Sequence, residues 1–159
     1  MRWEELDQQP CSLSRTLSVI GDRWMLLVLR DCFLGVRRFD GFEKRLGVTR
    51  HLLADRLKKL VEHEVLQKVP YQQRPLREEY RLTDKGLALH PVIMSLVSWG
   101  DTYMADERGA PIEHTHKACG KRMKPVMVCS ECAEPVGARD IEVQAGAAFG
   151  AEVNNLLAG

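Results

Sequence analysis

Five cysteines and five histidines are unevenly spread along the 159-residue chain, and four of these side chains have the spacing of metal ligands. His116 and Cys119 stand in a His-x-x-Cys pair, Cys129 and Cys132 in a Cys-x-x-Cys pair, and nine residues lie between the pairs. Zinc takes imidazole nitrogen and thiolate sulfur in a tetrahedron, and four protein ligands leave it no open position. The spacing therefore predicts a small zinc-ribbon-like segment with a structural rather than catalytic metal. Lys117, Lys121, Arg122 and Lys124 would favour the thiolates. His114 is an alternative to His116 as the nitrogen ligand. Gly120 follows the first pair, but Ala133 follows the second, so the second turn lacks a matching glycine. Two other readings stay open for the same residues: free structural thiols, or a reversible Cys129–Cys132 redox couple without metal.

A second kind of chemistry is written between Leu46 and Thr83. At about 100° per residue, Leu53, Leu57 and Leu60 stack on one side of a helix, with Leu52 and Val61 at the margins. His51, Ala54, Asp55 and Lys58 fall on the opposite side, and Arg50 lies at the edge. One face belongs to a core, and the other offers short, hydrogen-bonding or cationic groups. A duplex major groove accepts such a helix when another short helix precedes it. A solvated charged face has a similar composition, so the pattern alone does not separate the two.

Charge distribution is what a groove-binding protein would show, although charge alone does not settle the matter. The whole chain carries a net charge of only +1, yet residues 37–85 hold thirteen Lys/Arg against eight Asp/Glu, leaving the remainder at −4. Such asymmetry is expected where phosphates are neutralised. No run of 18 apolar residues is present, and the start (Met1 to Glu5) lacks the apolar segment of a secretory signal. With an odd number of cysteines not arranged as a disulfide frame, the expectation is a reduced, cytoplasmic protein without membrane contact. No His/Asp/Glu constellation accompanies the cysteines and no Gly-rich phosphate loop occurs, which argues against an enzyme.

These residues need a scaffold, and the pattern supplies one. A first helix is expected from Ser12 or Ser14, either of which could cap it, to Ile20. A second, buried helix runs from Trp24 to Cys32, and a third from Phe39 to Leu46. Gly47 turns the chain into the basic helix, which Thr49 can cap. Val65–Val69 and Glu79–Leu82 read as paired strands, joined by an extended tip over Pro70–Glu78 that is too long for a tight hairpin. Thr83 caps a last helix reaching about Met104, kinked or restarted at Pro91. On it, Leu89, Val92, Ile93, Leu96 and Trp99 make an apolar stripe. Trp24, Met25, Met94 and Trp99 are read as core. Residues 1–105 are thus expected as one domain, 106–113 as a linker, 114–144 as the ribbon-like segment and 145–159 as a tail. No internal repeat is evident. The fold class is α+β, mainly α: a winged helix-turn-helix followed by a small zinc-ribbon-like segment.

At this point the residues meet a family. Cys11, Ile20-Gly21-Asp22-Arg23-Trp24, Arg38-Phe39-Asp40, Arg56-Leu57-Lys58-Lys59-Leu60, Tyr80-Arg81-Leu82-Thr83 with Gly86, and Trp99-Gly100 resemble, in order, the HxlR family of bacterial transcriptional regulators. The resemblance implies a homodimeric winged helix paired through its first and last helices, binding a palindromic operator; the leading expectation is a repressor that occludes a promoter. It makes Thr49–Leu60 the recognition helix. Arg50 would then read guanine, Thr49 or His51 a base or phosphate, and Ala54 a thymine methyl, while Lys58 would touch a phosphate. Asp55 shares the exposed side, whereas Arg56 falls nearer the apolar side and is assigned a structural or backbone-anchoring role. Arg37 and Arg38 suit phosphates ahead of the third helix, and Arg74 and Arg77 at the wing tip suit the backbone or minor groove.

Cys11 matches a cysteine through which some HxlR-like proteins sense oxidants or electrophiles. The plainer reading is an unreactive, partly buried thiol, since the only cation near it in sequence is Arg15. Cys32 is expected in the core. A polymerase-interacting winged-helix and zinc-ribbon factor is the alternative from another functional class. Nothing in the sequence supports a small-molecule effector.

Overall fold

The computed structural model describes residues 5–144 and 146, so the expected tail from Ala145 lies, apart from Gly146, outside the described residues. Two compact units are present, the first reaching Leu96 and the second starting at Val97. The elements are α1 (Ser12–Ile20), α2 (Arg23–Phe33), α3 (Phe39–Leu46), α4 (Arg50–Glu62), β1 (Leu66–Gln73), β2 (Leu76–Leu82), α5 (Asp84–Leu87) and α6 (His90–Tyr103).

Local chemistry explains most boundaries. The Asp22 carboxylate accepts from the Trp24 amide at 2.8 Å and starts α2. Thr49 caps α4 by accepting from the Leu52 amide at 3.4 Å. Between α3 and α4, Gly47 adopts φ +62°, a left-handed conformation that side-chain-bearing residues rarely take. At α1 the expectation fails: the capping position is Cys11, not Ser12 or Ser14, and its side chain makes no capping hydrogen bond.

The core is built where α2, α3 and α4 meet. Val28, Leu29, Phe42, Leu53, Leu57 and Leu60 are essentially inaccessible, joined by Val65 and Leu66 at the start of the wing. Each such side chain contributes about 1.5–3 kcal/mol. The three α4 leucines are the face read from the sequence, and they fix which side of α4 is left outside. Gly86 closes the structure: a Cβ there would stand 2.2 Å from the Val65 carbonyl oxygen. Thr83 clamps the same corner, donating to the Glu64 carbonyl at 2.6 Å and accepting from the Gly86 amide at 3.1 Å.

β1 and β2 form a two-stranded antiparallel wing from Leu66↔Leu82 out to Gln73↔Leu76, with an irregularity between Pro70 and Gln72. The long unpaired tip expected over Pro70–Glu78 is therefore corrected to a continuous hairpin turning at Arg74 and Pro75. Neither proline prevents it, because Pro70 adjoins the bulge and Pro75 lies in the turn, where no ladder N–H is required.

The last helical stretch is two helices, and the second begins at His90, one residue before Pro91. Proline in the first turn is tolerated because its missing N–H would have no helical partner there. On α6, Ile93 and Met94 are buried but Val92, Leu96 and Trp99 are exposed, with Trp99 at 58%. Trp99 is therefore not the core residue expected, whereas Met25 is buried and Trp24 half-buried. In the second unit, residues 105–144 bury no side chain. Their regular backbone consists of two isolated antiparallel bridges, Thr115↔Arg122 and Val128↔Pro135. Among the described residues, no helix is long and apolar enough to cross a membrane.

Candidate nucleic-acid interface

Burial of Leu53, Leu57 and Leu60 turns the other side of α4 outward. Thr49, Arg50, His51, Ala54 and Lys58 are all exposed, and Asp55 is half-exposed. The structure thus brings together on one surface the α4 residues proposed from sequence. Arg50 is not idle there. Its guanidinium lies 2.7 Å from Glu43 and 3.8 Å from Asp40, and 4.8 Å from the Phe39 ring centroid. Lys58 pairs with Glu62 one turn on, at 3.5 Å. Both remain well exposed, so these contacts can be exchanged for phosphate or base contacts at small cost.

Of the structural and backbone-anchoring roles expected for Arg56, the structure shows partners for the first. Its Nη2 donates to Asp22 Oδ2 at 3.1 Å, its Nε lies 3.1 Å from Asp22 Oδ1, and Nη1 reaches Asp55. The pair ties the start of α2 to the middle of α4. Partial burial works to raise the Asp22 carboxyl, but the Arg56 hydrogen bond and the Trp24 amide outweigh it and hold the group below the usual carboxylate range. Asp55 is lowered too: desolvation opposes, but hydrogen bonds from Arg56 and Lys59 prevail. Asp55 is therefore occupied by its own helix.

Asp31 and Glu79 are functional supports that the sequence did not single out. The carboxylate of Asp31 is fully buried, with Oδ1 lying 2.9 Å from Arg30 and 3.3 Å from Arg45, which links α2 to α3. Glu79, nearly buried on the wing, accepts from Arg81 at 2.7 Å and lies 3.9 Å from Arg37. The bulge explains Arg38. It leaves Tyr71 without a ladder partner, and the Arg38 guanidinium stacks 4.3 Å from the centre of that ring. The Tyr80 amide also donates to the Arg37 carbonyl at 2.7 Å. Wing and α3 entry are thus one mechanical piece. Arg74 and Arg77 sit exposed at the hairpin tip, as expected. A capping Asp was visible in Ile20-Gly21-Asp22-Arg23; a bulge placing Tyr71 over Arg38 was not.

Comparison with known proteins agrees with this geometry. Residues 19–108 match the family model described as HxlR-like helix-turn-helix. The chain belongs to the HxlR family. An uncharacterized HTH-type transcriptional regulator of Mycobacterium tuberculosis is 41% identical over 142 residues, covering 89% of this chain and 90% of that protein. A match of that extent must run beyond the winged helix into the segment after residue 113. The crystal structure of PA1607, described as a candidate transcription factor, has a TM-score of 0.78 at 35% identity, covering 88% of this chain and 98% of that one. The redox regulator HypR in its oxidized form has a TM-score of 0.56 at 28% identity, covering 60% of this chain and all of that one (100%). This HxlR protein is a helix-turn-helix transcriptional regulator, not an enzyme, and its partner is DNA.

The cysteines of this HxlR chain fall into three environments. Cys32 is half-buried on α2, and burial, then the charge of Asp31, pushes its thiol up to about 12, which makes it inert. Cys11 is exposed rather than partly buried. The Ser14 backbone amide, then the Ser14 side chain and the Leu13 amide, hold its thiol below the ordinary value, although none forms a full capping hydrogen bond. Arg15 also lowers it but is the least of these causes, so the start of the helix has the larger influence. His116 Nδ1 lies 3.4 Å from Cys119 Sγ. Cys129 is lowered by the backbone amides of Cys132 and Glu131 and by the Cys132 thiol. Each pair is assembled, but the two pairs are not gathered into one group of three or more ligands among the described residues.

Proposed function

We propose that the protein is a homodimeric, cytoplasmic repressor that occludes a promoter by laying α4 of each protomer in the major groove of a palindromic operator. The observation that carries this reading is the outward face of α4. Thr49, Arg50, His51 and Ala54 are exposed at its N-terminal half, where helix-turn-helix proteins reach base edges. Arg37 and Arg38 are exposed at the entry to α3, and Arg74 and Arg77 at the tip of the wing. To read guanine, Arg50 exchanges Glu43 for O6 and N7.

A single domain of this size reads few base pairs, and twofold pairing multiplies its affinity. Val92, Leu96, Trp99 and Tyr103 recur along one side of α6 and are 40%, 51%, 58% and 72% exposed, as an interface stripe would be in a free protomer. Leu13 on α1 is 66% exposed.

Selection of bound fragments from the source genome, followed by titration of variants, tests the reading. Arg50→Ala lowers specific affinity by roughly ten- to a hundredfold, the scale of one bidentate base contact, and leaves non-specific affinity almost unchanged. Arg77→Ala weakens both alike. Equal losses for Arg50→Ala refute the base-reading role. A shallow dependence of affinity on salt would favour the polymerase-interacting alternative, because many phosphate contacts make it steep.

The exposure of Cys11 and its lowered thiol favour a second reading, in which this cysteine senses oxidants or electrophiles. The likeness to HypR points the same way. Oxidant-induced release from the operator must then disappear in Cys11→Ser; release that persists ends the idea.

A further inference from the structure

The two Cys/His pairs sit in the same backbone motif, repeated thirteen residues apart. In the first, the His116 amide donates to the Lys121 carbonyl at 2.9 Å, the Gly120 amide to the His116 carbonyl at 2.8 Å, and the Met123 amide to the His114 carbonyl at 2.8 Å. In the second, the Cys129 amide donates to Glu134, the Ala133 amide to Cys129, and the Val136 amide to Met127, each at 2.9 Å. Shifted by thirteen, every donor and acceptor coincides, as do the bridges Thr115↔Arg122 and Val128↔Pro135. Even the left-handed residue recurs: Gly120 has φ +67° and Ala133, despite its Cβ, has φ +59°. The missing glycine does not prevent the second turn.

We propose that residues 114–136 form a two-knuckle site that takes one divalent zinc ion, held by His116 Nδ1 and the thiolates of Cys119, Cys129 and Cys132. The first knuckle already has the spacing. Zn–N and Zn–S bonds of about 2.0–2.1 and 2.3 Å at a tetrahedral angle put nitrogen and sulfur about 3.6 Å apart, and His116 Nδ1 stands 3.4 Å from Cys119 Sγ. That contact selects His116 over His114. Since the pairs are not joined in one group, the ion draws the knuckles together as it binds. Charge assists the approach: the first knuckle carries Lys117 and Lys121, the second Glu131 and Glu134. On binding, the three thiols release their protons to solvent, and the resulting ZnNS3 centre carries one negative charge. Backbone hydrogen bonds and the Arg122–Glu113 ion pair hold this segment, but none of its side chains is buried. Met123, Val126, Met127 and Val128 are 38–67% exposed and make no core, the condition in which metal supplies the folding free energy of a small module.

The test uses the full chain, stripped by chelator under reducing conditions and titrated with Zn2+, and with Co2+ as a spectroscopic substitute. One equivalent per chain is expected, with the intense visible bands of tetrahedral, thiolate-bound cobalt. Cys119→Ser and Cys132→Ser each abolish loading, whereas Cys11→Ser and His114→Ala leave it intact. Helical circular dichroism checks the variants, because none of these ligands lies in a helix. A second measurement needs no variant: amide exchange in 114–136 slows on zinc loading while α2–α4 are unchanged. Loading below a tenth of an equivalent overturns the proposal, as does half an equivalent shared between two chains. Loading that survives Cys119→Ser, or exchange that metal leaves unaltered, overturns it as well.

Discussion

The winged unit and the paired knuckles both hold tight turns, but opposite forces act on them. In the winged unit, Phe42, Leu53, Leu57 and Leu60 vanish from solvent, and the helices are held together by that shared core. In residues 114–136, two ten-residue hairpins (114–123 and 127–136) keep their backbone ladder with no buried side chain at all. A hydrophobic core tolerates imperfect capping, as at Cys11, because packing dominates helix stability. A hairpin without a core has only its local hydrogen bonds and whatever its ligand-bearing side chains can bind.

The difference can be broken by substitution. Phe42→Ala should cost about 3–5 kcal/mol, the scale for deleting a buried aromatic side chain, seen as a lower urea midpoint. Met127→Ala, at a position 67% exposed, should stay within about 0.5 kcal/mol. If Met127→Ala cost as much as Phe42→Ala, the second region would have a core and the contrast would vanish. Next in size is Gly86→Ala, which forces Cβ against the Val65 carbonyl and should destabilise by about 1–3 kcal/mol. Unchanged thermal unfolding there would mean the α5 corner yields freely.

Arg56→Ala should remove about 1–2 kcal/mol, between the values for exposed and buried ion pairs. Its pH signature is distinctive. Asp22 has a folded pKa below its unfolded one, so the pair contributes fully above the unfolded carboxylate value and its contribution fades as pH falls through the folded value. Denaturant midpoints of wild type and Arg56→Ala should therefore differ at neutral pH and converge in acid; a gap that persists undiminished would mean the guanidinium acts by packing alone. The smallest effect belongs to the knuckles. Ala133→Gly relieves a left-handed alanine and should slow local amide exchange by up to about 1 kcal/mol, without moving the global transition. A shift of that transition would show the two regions unfolding together.

Much of the winged unit is legible before any coordinates. The 3.6-residue spacing of Leu53, Leu57 and Leu60, the caps at Thr49 and Thr83, and the α3 boundaries follow from local chemistry. Less legible were features that depend on two distant strands or helices meeting. Pro70 and Pro75 suggested an unpaired tip, yet the bulge let both strands continue. Trp99 looked like core because hydrophobicity does not say which apolar side chains find a partner within the same chain.

By itself, the sequence determined which α4 face turns outward and where the Cys/His pairs fall, since periodicity and spacing are properties of a local backbone. Only the tertiary structure decided that Asp22 takes Arg56, that Glu43 holds Arg50, that Tyr71 receives Arg38, and that Ala133 can mirror Gly120. Those outcomes rest on contacts between different elements, from seven to thirty-four residues apart, or on a turn conformation fixed by its closing hydrogen bonds, and neither is encoded in the identity of one residue.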